Sequence, residues 1–378
     1  MSEIKVNSIK GVGASAAAIT VNNSDGTCTA NITNNLSNRN VLINGEFRVN
    51  QRGNQTGINS GGSNYTLDRW IFGLNNGGTW SISQSTDTPD GFGNSLKLDC
   101  TTADSSLAAD DYLLLRQKLE GQDCQAFAKG TSAAKQFAVS FYVKTNKSGL
   151  YTVEIHDNDN NRIASKTFTV SDGNWNRYSL IFPADTTGAF DNDNAQSLTF
   201  NIWLGAGSGY TSGTFNTSSW AAKANANRVS SSNVNLADST SNEFFLTGVQ
   251  LEVGSVATDF EHRSFGQELA LCQRYYETSY DFVGGTYPGA ANSSHYFMTT
   301  PDGYSFQPGI DFKVVKRASP TIVMYSTTGA INKFRKWNDG VDQTSVGGHI
   351  SANGFLPHVS GATSNVFYAG QFTADAEL

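Results

Sequence analysis

The chain has 378 residues, a formal charge of −7 and a pI near 5.2, which is length enough for two or three domains with ordinary cores. Its Lys and Arg residues are scattered and build no basic field for a phosphate backbone, and no apolar run approaches the ~18 residues that span a bilayer. Nucleic acid and membrane insertion are therefore excluded as partners. An apolar fraction of 38% and a charged fraction of 16% leave a large share to Gly, Ser, Thr, Asn and Asp; with 37 Gly, 7 Pro, 23 Phe and 14 Tyr, that suits many short strands joined by tight polar turns, an all-β protein.

In chain order, "MSEIKVNSIKGVG" has no hydrophobic core of an export signal, so the expectation is synthesis in a cytosol. Residues 1–40 contain no aromatic side chain. Ala17, Ile19 and Val21 alternate on one face, a turn follows at Asn23 to Gly26, and Cys28, Ala30 and Ile32 alternate again, which is a hairpin pattern. A lone hairpin is marginal in water, so this segment is either disordered or gains strands from another chain. Cys28, Cys100, Cys124 and Cys272 lie far apart with no CxxC pair, and are expected as small apolar core residues rather than as a disulfide or metal cluster.

From Val41 onward, strands are predicted at 41–49, 65–74, 79–86, 95–101, 136–144, 149–156, 162–170, 174–182, 197–204 and 243–253, which makes a two-sheet antiparallel sandwich with long insertions. Asp157 to Asn161 is the polar hinge of one hairpin; Trp70, Trp175 and Trp203 lie within strand patterns and are expected in the core. "LLLRQKLEGQ" reads equally as a helix turn or a buried strand, and 205–242 as a long surface excursion around Trp220. Ser264 and Gln267 have capping-box spacing, and Phe265, Leu269, Cys272 and Tyr276 recur at helical intervals, predicting a helix of about three turns. Val249 and Leu251 before it are expected to point inward, and Arg263 and Arg274 to stay in water. Strand-like sequence resumes to the end. The expected division is an N-terminal attachment segment at 1–40, a first sandwich at 41–262, and a linker helix with a second, smaller β-sandwich at 263–378.

Chemistry is sparse. "HDNDNNR" places Asp157, Asp159 and Asn161 like the first ligands of a calcium loop, but Arg162 stands at the glycine position and Phe168 at that of the bidentate Glu, so a hairpin turn is the reading. Acids such as Asp110, Asp111, Glu154 and Glu252 are linked by no glycosidase motif, and His156, His262, His295, His349 and His358 show no metal-ligand spacing. Neither a catalytic residue nor a cofactor nor a metal is expected. Sugar recognition suits the composition better, because aromatic faces pack on pyranose rings. Tyr287, Tyr304 and Trp337, with His349 and His358, are the candidate contacts.

"NVLINGEFRVNQRG", "YTLDRW", "FAVSFYVKTNKSGLYTVEI", "NWNRYSLIF" and "LTGVQLEVGSVATDFEHRSFGQELALCQRYYE", in that order, resemble the domain of tailed-phage fibre and virion structural proteins, which is related to jelly-roll carbohydrate-binding modules; "FKVVKRASPTI" and "FYAGQFTADAEL" are similar to the C-terminal domain that often follows it. The resemblance covers residues 41–378. It implies a jelly roll for the first sandwich and a homotrimeric tail fibre or appendage on a virion, with a phage tail or adaptor protein as partner at the N-terminus and a host cell-surface glycan at the other end. The alternative is a glycan-binding module that decorates a capsid or another particle. Ile4, Val6, Ile19, Val21 and Ile32 would dock on the tail by strand addition, and Phe265, Leu269, Cys272 and Tyr276 would form the joint between domains or between trimer subunits. Jelly-roll sugar modules commonly hold a structural calcium with a Glu near the first strand and acids in the last. Here Glu46 is present, but Thr247 and Gly248 stand where the acids would be, so no calcium site is assigned.

Overall fold

The computed structural model describes residues 7–10, 12, 19–21, 24, 28–30, 38–280, 296–299, 309–360 and 366–378. Near the N-terminus, β1 (Ser8–Ile9), β2 (Ile19–Val21) and β3 (Cys28–Ala30) make a small antiparallel sheet in that order, with Ile19 opposite Ala30 and Ser8 opposite Thr20. The hairpin thus gains a third strand from its own chain. Ile19 and Val21 are half-buried on it, while Ile4, Val6 and Ile32 lie outside the described residues.

The first sandwich comprises β4 (Gln55–Ile58), β5 (Asn64–Tyr65), β6 (Ile71–Asn75), β7 (Thr79–Ser85), β8 (Ser95–Thr102), β9 (Tyr112–Glu120), β10 (Phe137–Thr145), β11 (Gly149–Asp157), β12 (Arg162–Val170), β13 (Asn176–Phe182), β14 (Gln196–Ala206), β15 (Ala221–Ala222) and β16 (Glu243–Val253). One sheet has six strands in the order β13-β10-β16-β8-β7-β4; the other has seven, β15-β12-β11-β14-β9-β6-β5. "LLLRQKLE" is thereby a strand. Between the sheets, side chains two residues apart on each strand close one core, including Val139, Phe141 and Val143 from β10, Phe200, Ile202 and Leu204 from β14, and Val249 and Leu251 from β16. Each fully buried side chain of this kind contributes roughly 1.5–3 kcal/mol.

The segment 41–49 is not a strand, although its apolar residues alternate. Asn44 and Phe47 adopt left-handed backbone at φ 58° and 54°, and Asn tolerates that region because its short amide replaces backbone partners. The Asn44 amide donates to the Val49 and Asp68 carbonyls at 2.8 and 3.0 Å, and its oxygen accepts the Val49 N–H at 3.0 Å. Trp70 is fully buried, its ring 5.1 Å from Phe47, and its indole N–H donates to the Asn44 carbonyl at 3.1 Å. A side chain at Gly45 would be driven into the Val249 carbonyl oxygen, so the segment lies flat against β16 only with glycine there. The Val249 N–H donates to the Gly45 carbonyl at 2.9 Å and seals that approach.

After α1 (Ser208–Thr211) within the long excursion, α2 (Phe265–Gln273) follows the first sandwich, capped as expected by the reciprocal Ser264 and Gln267 pair. The second module consists of β17 (Tyr276–Thr278), β18 (Tyr296–Thr299), β19 (Ile310–Asp311), β20 (Thr321–Ser326), β21 (Lys333–Lys336), β22 (Asp342–Gly348), β23 (Gly354–Val359) and β24 (Phe367–Asp375). Strands β17, β18, β20 and β21 all pair with β24, which is why β24 is buried along nearly its whole length. Phe312, Met324, Phe334, Phe355, Tyr368 and Phe372 form the second, smaller core. The chain is therefore all-β, two β modules with a short helix between them. No helix among the described residues is long and apolar enough to cross a membrane.

Cys100, Cys124 and Cys272 are free thiols, all buried. Trp220 belongs to the first core rather than to an open loop, with its indole N–H bonded to the Pro183 carbonyl at 2.8 Å. Trp175 departs from expectation: it is half-buried on the outer side of the six-stranded sheet, and its indole N–H donates to Asp87 at 2.9 Å.

Candidate functional site

The outer face of the seven-stranded sheet carries an unusual polar ladder. Along β14, Leu198, Phe200, Ile202 and Leu204 fill the core, and alternation sends Thr199, Asn201 and Trp203 to the other face. Cross-strand register then sets three rows on that face: Ile163, His156, Thr199 and Lys118; Ser165, Glu154, Asn201 and Arg116; Thr167, Thr152, Trp203 and Leu114. Glu154 and Asn201 are buried even though they are polar, 0% and 1% exposed, because the excursion after β14 folds back over the sheet.

That excursion delivers Arg228. Its Nε donates to Glu154 Oε2 at 2.8 Å and its Nη2 to Oε1 at 2.6 Å, a two-pronged charge-assisted pair. Asn201 Nδ2 donates to the same carboxylate at 3.0 Å, so both Glu154 oxygens are engaged. The Arg228 guanidinium also lies 4.8 Å over the Trp203 ring, which packs with Tyr112 and Tyr210 at 6.4 and 5.4 Å to wall off one end of the face. At the opposite end, Lys118 Nζ donates to the Leu378 main-chain oxygen at 2.6 Å, so the second module borders the face. Arg116 Nε, His156 Nε2, Asn201 Oδ1 and Trp203 Nε1 are buried here with no hydrogen-bond partner among the described residues. Burial pushes the His156 pKa down to about 4, leaving a neutral ring.

The joint between the modules is equally charged. Arg69, at φ 72° and 1% exposed, pairs with Glu377, donates to the Lys118 carbonyl at 2.6 Å and stacks 3.4 Å over Tyr275. Arg52 lies 3.6 Å over Tyr276 and pairs with Asp375 and Glu377 at 3.2 and 3.1 Å. Arg263 and Arg274 are not left in water. Arg263 donates to the Leu42 carbonyl at 3.1 Å and to that of Asn40, and Arg274 grips both oxygens of the buried Glu120 at 2.9 and 2.7 Å. These carbonyls and carboxylates are enclosed by the packing of the modules, and bare acceptors there attract the nearest guanidinium. Cys272 is buried with Ile43, Val49 and Tyr275, Leu269 packs on that group, Tyr276 is half-buried under Arg52, and Phe265 is 49% exposed.

In the "HDNDNN" turn, Asp157 is fully buried and accepts Lys129 Nζ at 2.5 Å. That ammonium also reaches Asp185 and the Thr187 and Gly188 carbonyls at 3.2, 2.8 and 2.7 Å, so an internal cation occupies this oxygen cage. At Gly248, φ 62°, the pairing of β16 with β10 slips by a residue, and a side chain there would strike Phe92 and Tyr142. The Thr247 hydroxyl donates to the Asn94 carbonyl at 2.7 Å instead of facing a cation.

Of the sugar contacts expected in the second module, Tyr287 and Tyr304 lie outside the described residues. Trp337 is 62% exposed beside Phe367, and His349 and His358 are exposed. Trp337 and His349 flank opposite ends of β22, on the order of 20 Å apart along an extended strand, so these two are not brought together. Sequence reasoning missed the ladder on the first module. Glu154 and Arg228 lie 74 positions apart, and nothing local marks the pair.

No family model and no curated protein matches this sequence. Solved structures resemble it. A protein of Bacteroides thetaiotaomicron VPI-5482 described as sugar-binding is 12% identical, with TM-score 0.32 over 57% of this chain and 100% of that one. A CBM4 structure is 12% identical, with TM-score 0.28 over 56% and 97%. A family 11 carbohydrate-binding module from Clostridium thermocellum, in complex with a β-1,3-1,4-mixed-linked tetrasaccharide, is 12% identical, with TM-score 0.26 over 56% and 98%. These are likenesses of fold alone.

Proposed function

We propose that the protein is a non-enzymatic glycan-binding component of a phage virion, a homotrimeric tail fibre or tail appendage attached through residues 1–40. The observation that carries the glycan reading is the ladder on β11, β14 and β9. Buried polar groups are nearly always paired, yet Arg116, His156, Asn201 and Trp203 each hold an unpaired buried donor or acceptor on one sheet face. Sugar hydroxyls, which both donate and accept, suit the half-buried Arg116 and His156 of that set, and Tyr112 and Tyr210 supply half-buried aromatic surface at its end.

The virion setting rests on the sequence motifs from 41 to 378 and on the aromatic-free N-terminal segment, whose short three-stranded sheet leaves Ile9 54% exposed for added strands. Three copies would multiply weak glycan contacts through avidity, by ~10²-fold or more. Removal of residues 1–40 is expected to leave both β modules folded and to abolish incorporation into particles; truncated protein found in particles would refute the attachment. Light scattering at micromolar concentration should give three times the chain mass, and a monomer would count against the fibre. Host polysaccharide retained in affinity electrophoresis should keep its chain length, and shortening would reinstate an enzyme.

A further inference from the structure

We infer that the face built by β11, β14 and β9 takes an acidic glycan, with Arg116 as the residue that receives its oxyanion. The inference rests on the glycan reading above and names the ligand class. Although the whole chain carries −7, this face gathers Arg116, Lys118, Lys223 and Arg228 around one carboxylate, Glu154. That carboxylate is already consumed, since its oxygens accept both prongs of Arg228 and the Asn201 amide.

Arg116 is left over. Among the described residues it makes no ion pair, and its Nε is enclosed without a partner. Burial works most strongly against its charge and Arg228 adds to this, with Tyr112 and Glu154 offsetting only part. Lys223, half-buried at the sheet edge, is likewise disfavoured by burial and then by Arg228. Lys118 donates to the Leu378 main-chain oxygen, with Glu377 near enough to favour its charge. Arg116 and Lys223, which make no ion pair among the described residues, are complementary to an anion. A guanidinium in addition presents parallel N–H groups that match the two oxygens of a carboxylate or phosphate. A neutral sugar leaves that charge uncompensated. The half-buried His156 beside it is suited to a hydroxyl of the same ring.

The shared chemistry is an oxyanion on a hydroxyl-bearing polymer, from a uronate carboxylate or from a phosphodiester. The test uses the full chain and four probes: polygalacturonate, alginate, the same polygalacturonate with its carboxyls reduced to alcohols, and a glycerol-phosphate teichoic acid. Retention should occur on at least one acidic probe. It should weaken at least tenfold on carboxyl reduction if the uronates are the ligand, or persist only on teichoic acid if phosphate is. Arg116→Gln should lose tenfold or more, Arg116→Lys should retain part of the binding, and Lys223→Ala, at the sheet edge and less exposed to folding defects, should lose several-fold. Binding should also fall as salt rises. Equal retention of the carboxyl-reduced polymer, with Arg116→Gln and Lys223→Ala unchanged, would overturn the acidic ligand while leaving glycan binding standing. Failure to retain any probe would count against both.

Discussion

Replacement of Arg69 by Met tests the joint between the modules. Its guanidinium is 1% exposed, faces Glu377, and is stacked 3.4 Å over Tyr275. Removing one side of a buried pair leaves the other charge uncompensated, at a cost of about 3–5 kcal/mol. Glu377 keeps Arg52 at 3.1 Å, so the loss should fall near the lower bound, about 3 kcal/mol. Equilibrium urea unfolding followed by tryptophan fluorescence reads this directly, because Trp70 is adjacent in the chain and wholly buried. A double-mutant cycle of Arg69→Met with Glu377→Gln should show a coupling of about 2 kcal/mol. A single variant within about 1 kcal/mol of the parent, together with zero coupling, would refute the view that the end of the second module is clasped to the first.

Two further outcomes follow from buried charge. Burial lowers the His156 pKa from 6.5 to about 4, so as pH falls the unfolded chain takes up a proton before the folded one does. The contribution is complete above pH 6.5 and is lost between there and about pH 4, by about 2 kcal/mol once solvent screening of a half-buried ring is allowed for. His156→Gln should flatten the urea midpoint across that range, and an unchanged slope would assign it elsewhere. Lys129→Met strands the Asp157 carboxylate, while Asp185 keeps Arg162 at 2.8 Å, and should cost about 3–5 kcal/mol; Lys129→Met with Asp157→Asn should recover much of it, and an innocuous single variant would show the cage to be dispensable.

Strands with clear alternation were legible in the sequence. The segments predicted at 162–170 and 243–253 coincide with β12 and β16, and the capping box at Ser264 appears as read. The segment 41–49 misled because Val41, Ile43 and Phe47 alternate like a strand, while left-handed backbone at Asn44 and Phe47 is set by contacts with Asp68 and Trp70 further along the chain. The ladder was hidden for a related reason. Strand β14 is buried on both faces, so its pattern lacks the polar contrast that marks a working surface, and Arg228 arrives from a Gly- and Ser-rich excursion that carries no periodic signal. The motifs behind the phage resemblance have a physical reading as well. "INGEFRVNQRG" and "DRW" supply Asn44, Gly45, Arg52 and Arg69, which bind α2, β16 and the last residues of the chain, so that much of the motif encodes the joint.

Hydroxyl-radical footprinting of the full chain, with and without a saturating acidic polysaccharide that it retains, locates the ligand. Protection should concentrate on Tyr112, His156 and Tyr210, the half-buried reactive side chains around Arg116 and Glu154. Protection confined to Trp337, His349 and His358, or to the Phe92 and Tyr142 cluster on the other sheet, would contradict the placement of glycan binding on the seven-stranded face.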